Sequence, residues 1–144
     1  MPTINPYLSF NGNAEEAFNF YRSVFGGDFE TFQRFADIPA GPDETHAIGE
    51  DDKQKIMHVS LPIGEGSVLM GSDVLEAYGH GEVSGNNMSI AIATESREET
   101  ERIFNGLSDG GEITMPLNDT FWGAYFGMFT DKFGIQWMVN FDQK

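Results

Sequence analysis

The sequence contains no cysteine among its 144 residues. This absence excludes disulfide bonds, thiolate catalysis and zinc sites built on thiolates. Basic residues are also scarce, because 8 Lys and Arg stand against 23 Asp and Glu, for a formal net charge of −15 at pH 7. Nucleic acids and anionic membranes attract basic surfaces, so the sequence predicts neither as a partner.

Long apolar runs are missing as well. No stretch approaches the roughly 18 residues that a membrane-spanning helix needs, and the start of the chain lacks the basic and apolar segments of a signal peptide. These features predict a cytoplasmic protein. Hydrophobic residues make up 40% of the chain and include 13 Phe, which predicts one folded domain with a real core.

One pattern occurs twice along the chain. Residues 5–31 and 87–114 each contain a strand pattern of alternating side chains, a turn and an amphipathic helix that begins with Glu-Glu. A Gly-Gly pair that ends the helix and a new strand follow in both. The ends of the two halves also correspond, because residues 66–70 align with residues 134–138. We therefore expect one domain over 1–144, built from two modules at about 1–75 and 86–144.

Each module is predicted to contain a strand, a helix and three further strands. The predicted strands are 4–10, 28–35, 56–61 and 67–70, then 88–94, 112–115, 124–130 and 135–141. Helices are predicted over 14–25, after a capping turn at residues 11–13, and over 97–107. Residues 36–55 are expected to form an acidic surface loop, residues 76–87 a linker, and Asp73 a turn cap. The predicted fold class is α+β, with two βαβββ modules forming a curved mixed sheet, a cup-shaped cavity inside and helices outside.

Several segments carry a family resemblance. They are residues 6–12 (PYLSFNG), 14–17 (AEEA), 121–123 (FWG) and 131–138 (DKFGIQWM). With them the chain resembles the vicinal oxygen chelate superfamily, the glyoxalase/bleomycin-resistance fold, over nearly its whole length. Within that superfamily it is similar to the PhnB-like branch, which is often labelled as related to a demethylubiquinone methyltransferase. The resemblance implies a homodimer and a ligand-binding cup.

The resemblance also implies where a metal would bind. The family's metal enzymes hold a divalent ion with four side chains, two from each module, drawn from His, Gln and Glu. In this chain the four positions fall on Met70, Met138, either Asn5 or Pro6, and either Ser89 or Met88. Thioethers suit soft metals rather than the ions that these enzymes use. We therefore expect no metal and no cofactor, with Met70 and Met138 either lining a cavity or packing as ordinary core.

The other candidates for the cup are polar or aromatic. His58 shares a strand face with Ser60 and is the candidate catalytic base, with a structural hydrogen-bonded role as the alternative. Trp122 follows a polar loop and is either a pocket wall or a core plug. The pair of His80 and Glu82 in the linker is interpreted as coincidence rather than a metal site. The predicted ligand-binding residues are Tyr7, Ser9, His58, Met70, Ser89, Trp122, Gln136, Met138 and Asn140.

Several motifs are absent from the sequence: a phosphate-cradling glycine loop, a nucleotide loop for a methyl donor, and a nucleophile elbow. Three functional hypotheses stay open. The first is a metal-free protein that binds a neutral or moderately apolar small molecule. The second is a glyoxalase- or dioxygenase-like enzyme whose metal uses other ligands, such as His58. The third is a structural or regulatory homodimer whose cup is filled by its own side chains.

Overall fold

A computed structural model describes residues 4–37, 50–64, 66–75, 85 and 87–143. The chain divides into two compact units, Met1–Ser84 and Gly85–Lys144, and each contains one strand–helix–three-strand module, as predicted. The middle of the acidic loop with His46, and the linker with His80 and Glu82, lie outside the described residues.

Each module folds into its own four-stranded mixed sheet. The first contains β1 (Tyr7–Phe10), α1 (Ala14–Phe25), β2 (Thr31–Arg34), β3 (Ile56–Pro62) and β4 (Val68–Asp73). The second contains β5 (Ile90–Ala93), α2 (Arg97–Ser108), β6 (Glu112–Asp119), β7 (Ala124–Thr130) and β8 (Gln136–Asp142). The strand orders are β1-β4-β3-β2 and β5-β8-β7-β6, with the first and last strands of each module parallel and the other pairs antiparallel.

Neither α1 nor α2, the two α-helices in the described part of the chain, has the length and apolar character needed to cross a bilayer.

Two strands, β4 and β6, run well past their predicted ends. β4 continues through Gly71 to Asp73, because this glycine is a packing position rather than a breaker: a Cβ there would lie 2.7 Å from Phe18 Cε1. β6 continues through Pro116 to Asp119. It is an edge strand, where a residue without a backbone N–H removes no bond from the sheet ladder.

The predicted acidic loop is regular at both ends. Phe35–Asp37 forms a short 3₁₀ helix where a strand end is predicted, and Glu50–Asp52 forms another. Lys55, which follows, forms a salt bridge with Asp52 at 2.8 Å. This end of the loop therefore leads directly into β3.

The two cores lie between each helix and one face of its own sheet. The buried helix residues are Ala14, Ala17, Phe18 and Tyr21 on α1, and Thr100, Ile103, Phe104 and Leu107 on α2. Edge-to-face aromatic pairs join helix to sheet in both modules, Phe18 with Phe10 at 6.0 Å and Phe104 with Phe129 at 5.1 Å. The helical periodicity of the sequence thus identifies the buried side of both helices correctly.

Asp73, at the end of β4, connects three parts of the first module. Its Oδ1 accepts hydrogen bonds from the N–H groups of Gly12 and Ala14 at 3.0 and 2.9 Å, and its Oδ2 accepts one from the N–H of Ile56 at 2.8 Å. Asp73 is only 2% exposed. Asn13, the residue before α1, makes no side-chain capping bond, so the predicted local cap is replaced by a carboxylate from another strand. The expectation that Asp73 caps a turn is confirmed.

The second helix begins with a local cap instead. Ser96 Oγ accepts a hydrogen bond from the N–H of Glu99 at 3.0 Å, and Glu99 Oε1 accepts one from the N–H of Glu95 at 2.9 Å. This arrangement is a variant of the capping box. The two modules therefore start equivalent helices by different means.

An ion pair joins α1 to β2. The two terminal guanidinium nitrogens of Arg34 each donate to one carboxylate oxygen of Glu15 at 2.8 Å, and Nη1 also donates to the carbonyl of Gln54 at 2.7 Å. The hydrogen bond from Arg34 lowers the pKa of Glu15 below its ordinary value of 4.5, against the opposing effect of partial burial.

Replacement of Asp73 by Asn is expected to destabilise the protein by about 2–4 kcal/mol, because the amide loses one charged acceptor and directs an N–H group at buried backbone donors. Urea unfolding followed by circular dichroism measures this. The matched control is Asp28→Asn, since the Asp28 side chain is 97% exposed and its loss should change stability by less than about 0.5 kcal/mol. Equal stabilities for the two variants would show that Asp73 carries no structural role.

The Glu15–Arg34 pair should contribute to stability at neutral pH and lose that contribution in acid. Because the folded-state pKa of Glu15 is depressed, the contribution is present above the unfolded pKa near 4.5 and disappears as the pH falls through the folded value. With 47% and 27% exposure of the two side chains, the effect is under about 1 kcal/mol. Urea unfolding of Glu15→Gln between pH 3 and 7 should show a smaller loss in acid than the parent chain.

The same substitution made in an Arg34→Met background supplies the control. There the difference between Glu and Gln at position 15 should vanish at every pH, because the partner is already gone. A pH-dependent difference that persists without Arg34 would refute the assignment.

Candidate functional site

Each sheet has one face against its helix and one face turned away from it, which we call the open face. Two glycines identify the face that packs against the helix. A Cβ at Gly71 would meet Phe18 of α1, and one at Gly127 would lie 2.6 Å from Phe104 Cε2 of α2. Along β4 and β8, buried residues alternate with partly exposed ones, as expected for strands covered on one side. The partly exposed residues, which belong to the open faces, are Val68, Met70, Ser72, Gln136, Met138 and Asn140.

On the open face of the first sheet, four strands contribute to one row. Tyr7 of β1 lies opposite Met70 of β4, which lies opposite Ser60 of β3, which in turn lies opposite Thr31 of β2. Residues directly opposite each other in a sheet have side chains on the same face. Next to this row lie two further pairs, Ser9 with Ser72 and Gln33 with His58. This confirms the expected placement of Tyr7 and Ser9 opposite the helix side.

Tyr7 and His58 form a pair on this face. Their rings are stacked with centroids 5.7 Å apart and planes 19° apart, and the Tyr7 hydroxyl lies 3.4 Å from His58 Nδ1, a long hydrogen bond. Tyr7 is 49% exposed. The hydroxyl is therefore the partner that orients the imidazole, which the sequence did not reveal because the two residues are 51 positions apart.

Ser60 lies in the same face, two residues beyond His58 in β3. It is 2% exposed, and within the described residues its Oγ has no hydrogen-bond partner. Buried hydroxyls are nearly always bonded, since an unsatisfied one lowers stability by about 1–3 kcal/mol. Among the described residues, the Ser60 hydroxyl is the one buried side-chain polar group without a hydrogen-bond partner.

The open face of the second sheet is apolar, whereas the open face of the first sheet is polar. Ala91 of β5 lies opposite Met138 of β8, which lies opposite Met128 of β7, which lies opposite Met115 of β6. Met115 is 45% exposed. Met70 and Met138 therefore occupy equivalent places in their sheets, as the repeat predicts, but their neighbours differ in chemistry.

Polar groups lie on either side of this methionine row. Asn140 lies opposite Phe126, and Gln136 donates from Nε2 to the carbonyl of Met88 at 2.7 Å. Ser89 precedes β5 and is exposed. The predicted sharing of one face by Gln136, Met138 and Asn140 is confirmed, while the binding role of each stays a prediction.

Exposed aromatic residues follow β6. Trp122 is 51% exposed and Phe121 is 98% exposed, with their ring centroids 5.0 Å apart and nearly perpendicular. Trp122 also contacts Phe126 of the open face at 6.2 Å. Of the two predicted roles for Trp122, the core plug is therefore wrong, and the position beside the open face agrees with a pocket wall.

A charged cluster fixes the end of β6 next to these aromatic rings. Arg97 Nη1 donates to Asp119 Oδ1 at 2.8 Å and to Gln143 Oε1 at 3.0 Å, and its guanidinium lies 3.8 Å from the ring centroid of Tyr125. The hydrogen bond from Arg97, followed by that from Gln143, lowers the pKa of Asp119, and the same contact raises that of Arg97. The Arg97 guanidinium is therefore engaged by Asp119, Gln143 and Tyr125.

The divalent ion of the family's metal enzymes does not fit these positions. The rows of Met70 and Met138 contain no carboxylate and no imidazole, which are the donors that such ions require. Asn5, one of the expected first-strand positions, is engaged by backbone, since its Oδ1 accepts from the N–H of Val68 at 3.2 Å. Among the residues described, no three His, Asp or Glu side chains gather as a metal site.

Sequence reasoning missed several residues of the open faces, among them Thr31, Gln33, Met115 and Met128. For Met128 a signal existed, since it alternates with the buried Phe129 in β7. Thr31, Gln33 and Met115 needed the strand register, because irregular pairing in both edge strands decides which side chains share a face.

Comparisons with known proteins agree with this architecture. The model of the Glyoxalase/Bleomycin resistance protein/Dioxygenase superfamily matches residues 3–139. Protein YjdN of Escherichia coli is 31% identical over 141 residues, covering 95% of this chain and 93% of YjdN. The crystal structure of PA1353 from Pseudomonas aeruginosa is 44% identical over the full length of both chains, with a TM-score of 0.81. A PhnB protein from Bacillus cereus is 27% identical, with a TM-score of 0.73, over 97% of this chain and 99% of its own. The chain therefore belongs to the Glyoxalase/Bleomycin resistance protein/Dioxygenase superfamily.

Proposed function

We propose that this protein binds a neutral, partly apolar small molecule through the open faces of its sheets, and that it does so without a metal ion. The observation that carries the proposal is the methionine row of the second sheet, in which Met115, Met128 and Met138 lie side by side. Unbranched thioethers adapt to irregular ligand surfaces, and partly exposed apolar side chains beside a few polar groups are typical of ligand pockets.

The charge distribution supports a neutral ligand. No Lys, Arg, Asp or Glu occupies the Met70 or Met138 row, or the adjoining rows that contain Ser9 and Asn140. A charged group would lose hydration on these faces without gaining an opposite charge. Each of these groups of rows would therefore disfavour an ionised ligand.

The enzyme hypothesis receives less support from these contacts. A histidine base is usually oriented by a carboxylate or a backbone carbonyl, whereas the contact at Nδ1 of His58 is the hydroxyl of Tyr7. Tyr7, Met115 and Trp122 are each close to one-half exposed, which leaves these side chains available for contact with a ligand. We further propose homodimeric assembly, which native mass spectrometry of the purified protein tests together with any co-purified ligand.

Nile red, a neutral dye whose fluorescence rises in apolar surroundings, tests the binding surface. Met115→Gln should weaken its binding roughly tenfold, since part of the apolar contact area is replaced by an amide. Ile113→Gln is the matched control: Ile113 is 49% exposed on the same strand, but it pairs with Phe129 on the helix side. Binding should stay within about twofold in that variant. Equal weakening in both variants, or no dye binding at all, would refute the proposed function.

Removal of divalent ions should leave this protein unchanged. After dialysis against EDTA we expect the melting temperature and the Nile red affinity to match those of untreated protein, because the rows of Met70 and Met138 contain no carboxylate and no imidazole. A drop of several degrees that is reversed by adding back Mn²⁺, Ni²⁺ or Zn²⁺ would contradict the metal-free assignment.

A further inference from the structure

Resting on the proposed function, we propose that Ser60 and His58 form a hydrogen-bond-donor site on the open face of the first sheet, which recognises a neutral carbonyl oxygen of the ligand. Both side chains project from β3 to the same face, because they are two residues apart in one strand. The two donors are thus presented by a single rigid element.

The hydroxyl of Ser60 provides the first donor. Its Oγ is buried and, within the described residues, makes no hydrogen bond, so the free protein carries the cost of an unsatisfied polar group. A hydroxyl kept at such a cost is explained when a ligand supplies the missing acceptor. Met70 lies directly opposite Ser60 in the ladder, and its unbranched side chain can change rotamer to admit a ligand atom.

The ring of His58 provides the second donor. A phenol hydroxyl is a stronger donor than an imidazole N–H, and an imidazole nitrogen is a stronger acceptor than a phenol oxygen, so Tyr7 donates to Nδ1 across their 3.4 Å contact. The ring proton then resides on Nε2, and Nε2–H becomes a donor. The stacking of the two rings keeps the imidazole in this orientation.

The surroundings decide which acceptor these donors recognise. The rows around Ser60 and His58 contain Thr31, Gln33 and Ser9 but no Lys or Arg. A carboxylate or phosphate buried there would lack a counter-charge, whereas a ketone, aldehyde or amide oxygen needs only hydrogen bonds. The site therefore takes the neutral carbonyl class.

A matched pair of probes tests this directly. Acetophenone and ethylbenzene have nearly the same shape and differ by a carbonyl in place of a methylene. Titrations followed by ¹H–¹³C NMR of the Met70 methyl group, which is present in every variant, should give roughly three- to tenfold tighter binding of acetophenone, the increment of one or two neutral hydrogen bonds. Ser60→Ala and His58→Phe, of which the second keeps an aromatic ring against Tyr7, should each reduce that preference by at least about twofold.

Stability gives a readout that a purely structural hydroxyl would not produce. Ser60→Ala should raise the melting temperature of the ligand-free protein by about 2–4 °C, because it removes an unsatisfied buried group. The control is Ser23→Ala on α1, where Oγ donates to the carbonyl of Phe20 at 2.6 Å; it should produce neither the rise nor a change in probe preference. A fall in melting temperature for Ser60→Ala would show a hidden partner and overturn the proposal.

The ¹⁵N spectrum of His58 above pH 7.5 provides the third arm. We expect Nδ1 to be unprotonated and Nε2 to carry the proton; the reverse tautomer overturns the role of His58. If both probes bind equally well, the donor site is refuted while the small-molecule-binding function stands. If neither probe nor Nile red binds, the proposed function itself fails.

Discussion

The buried carboxylate of Asp73 joins the N-terminus of α1, the start of β3 and the end of β4. Its charge lies where the helix dipole is positive, so the helix start and the sheet are held by one group. Its bond to the N–H of Ile56 also fixes where β3 begins. A shift of one residue in that strand would turn His58 and Ser60 towards the helix. The polar open face of the first sheet thus depends on a contact in the core beneath it.

The two modules share a scaffold but not a surface. Met70 and Met138 occupy equivalent places, each on the last strand and next to the first strand of its module. Around Met70 the neighbours are hydroxyl groups, whereas around Met138 they are an alanine and a second methionine. The two modules therefore present different faces, one suited to hydrogen bonding and the other to apolar contact.

Periodicity in the sequence predicted the elements with good accuracy where packing and local pattern agree. The bounds of α1 and β7 match the prediction, because apolar residues recur there with the helical and the strand period. The predicted ends of two strands were wrong, because tertiary packing tolerates a residue there that usually ends a strand. Gly71 lets Phe18 approach the sheet, and Pro116 lies on an edge that needs no further bonds. Neither situation can be predicted from the local conformational preferences of the residues.

The sequence by itself determined the duplicated module and the buried sides of the helices, since both follow from residue types at fixed spacing. It also showed the lack of carboxylate and imidazole at the positions that the family resemblance assigns to a metal. Only the tertiary structure decided that Asp73 caps a helix 59 residues earlier in the chain, that Tyr7 contacts His58, and that the hydroxyl of Ser60 has no partner within the described part of the chain. Those facts depend on strand register and on contacts between distant segments. Such contacts arise when the whole module packs, and no local window of sequence contains them.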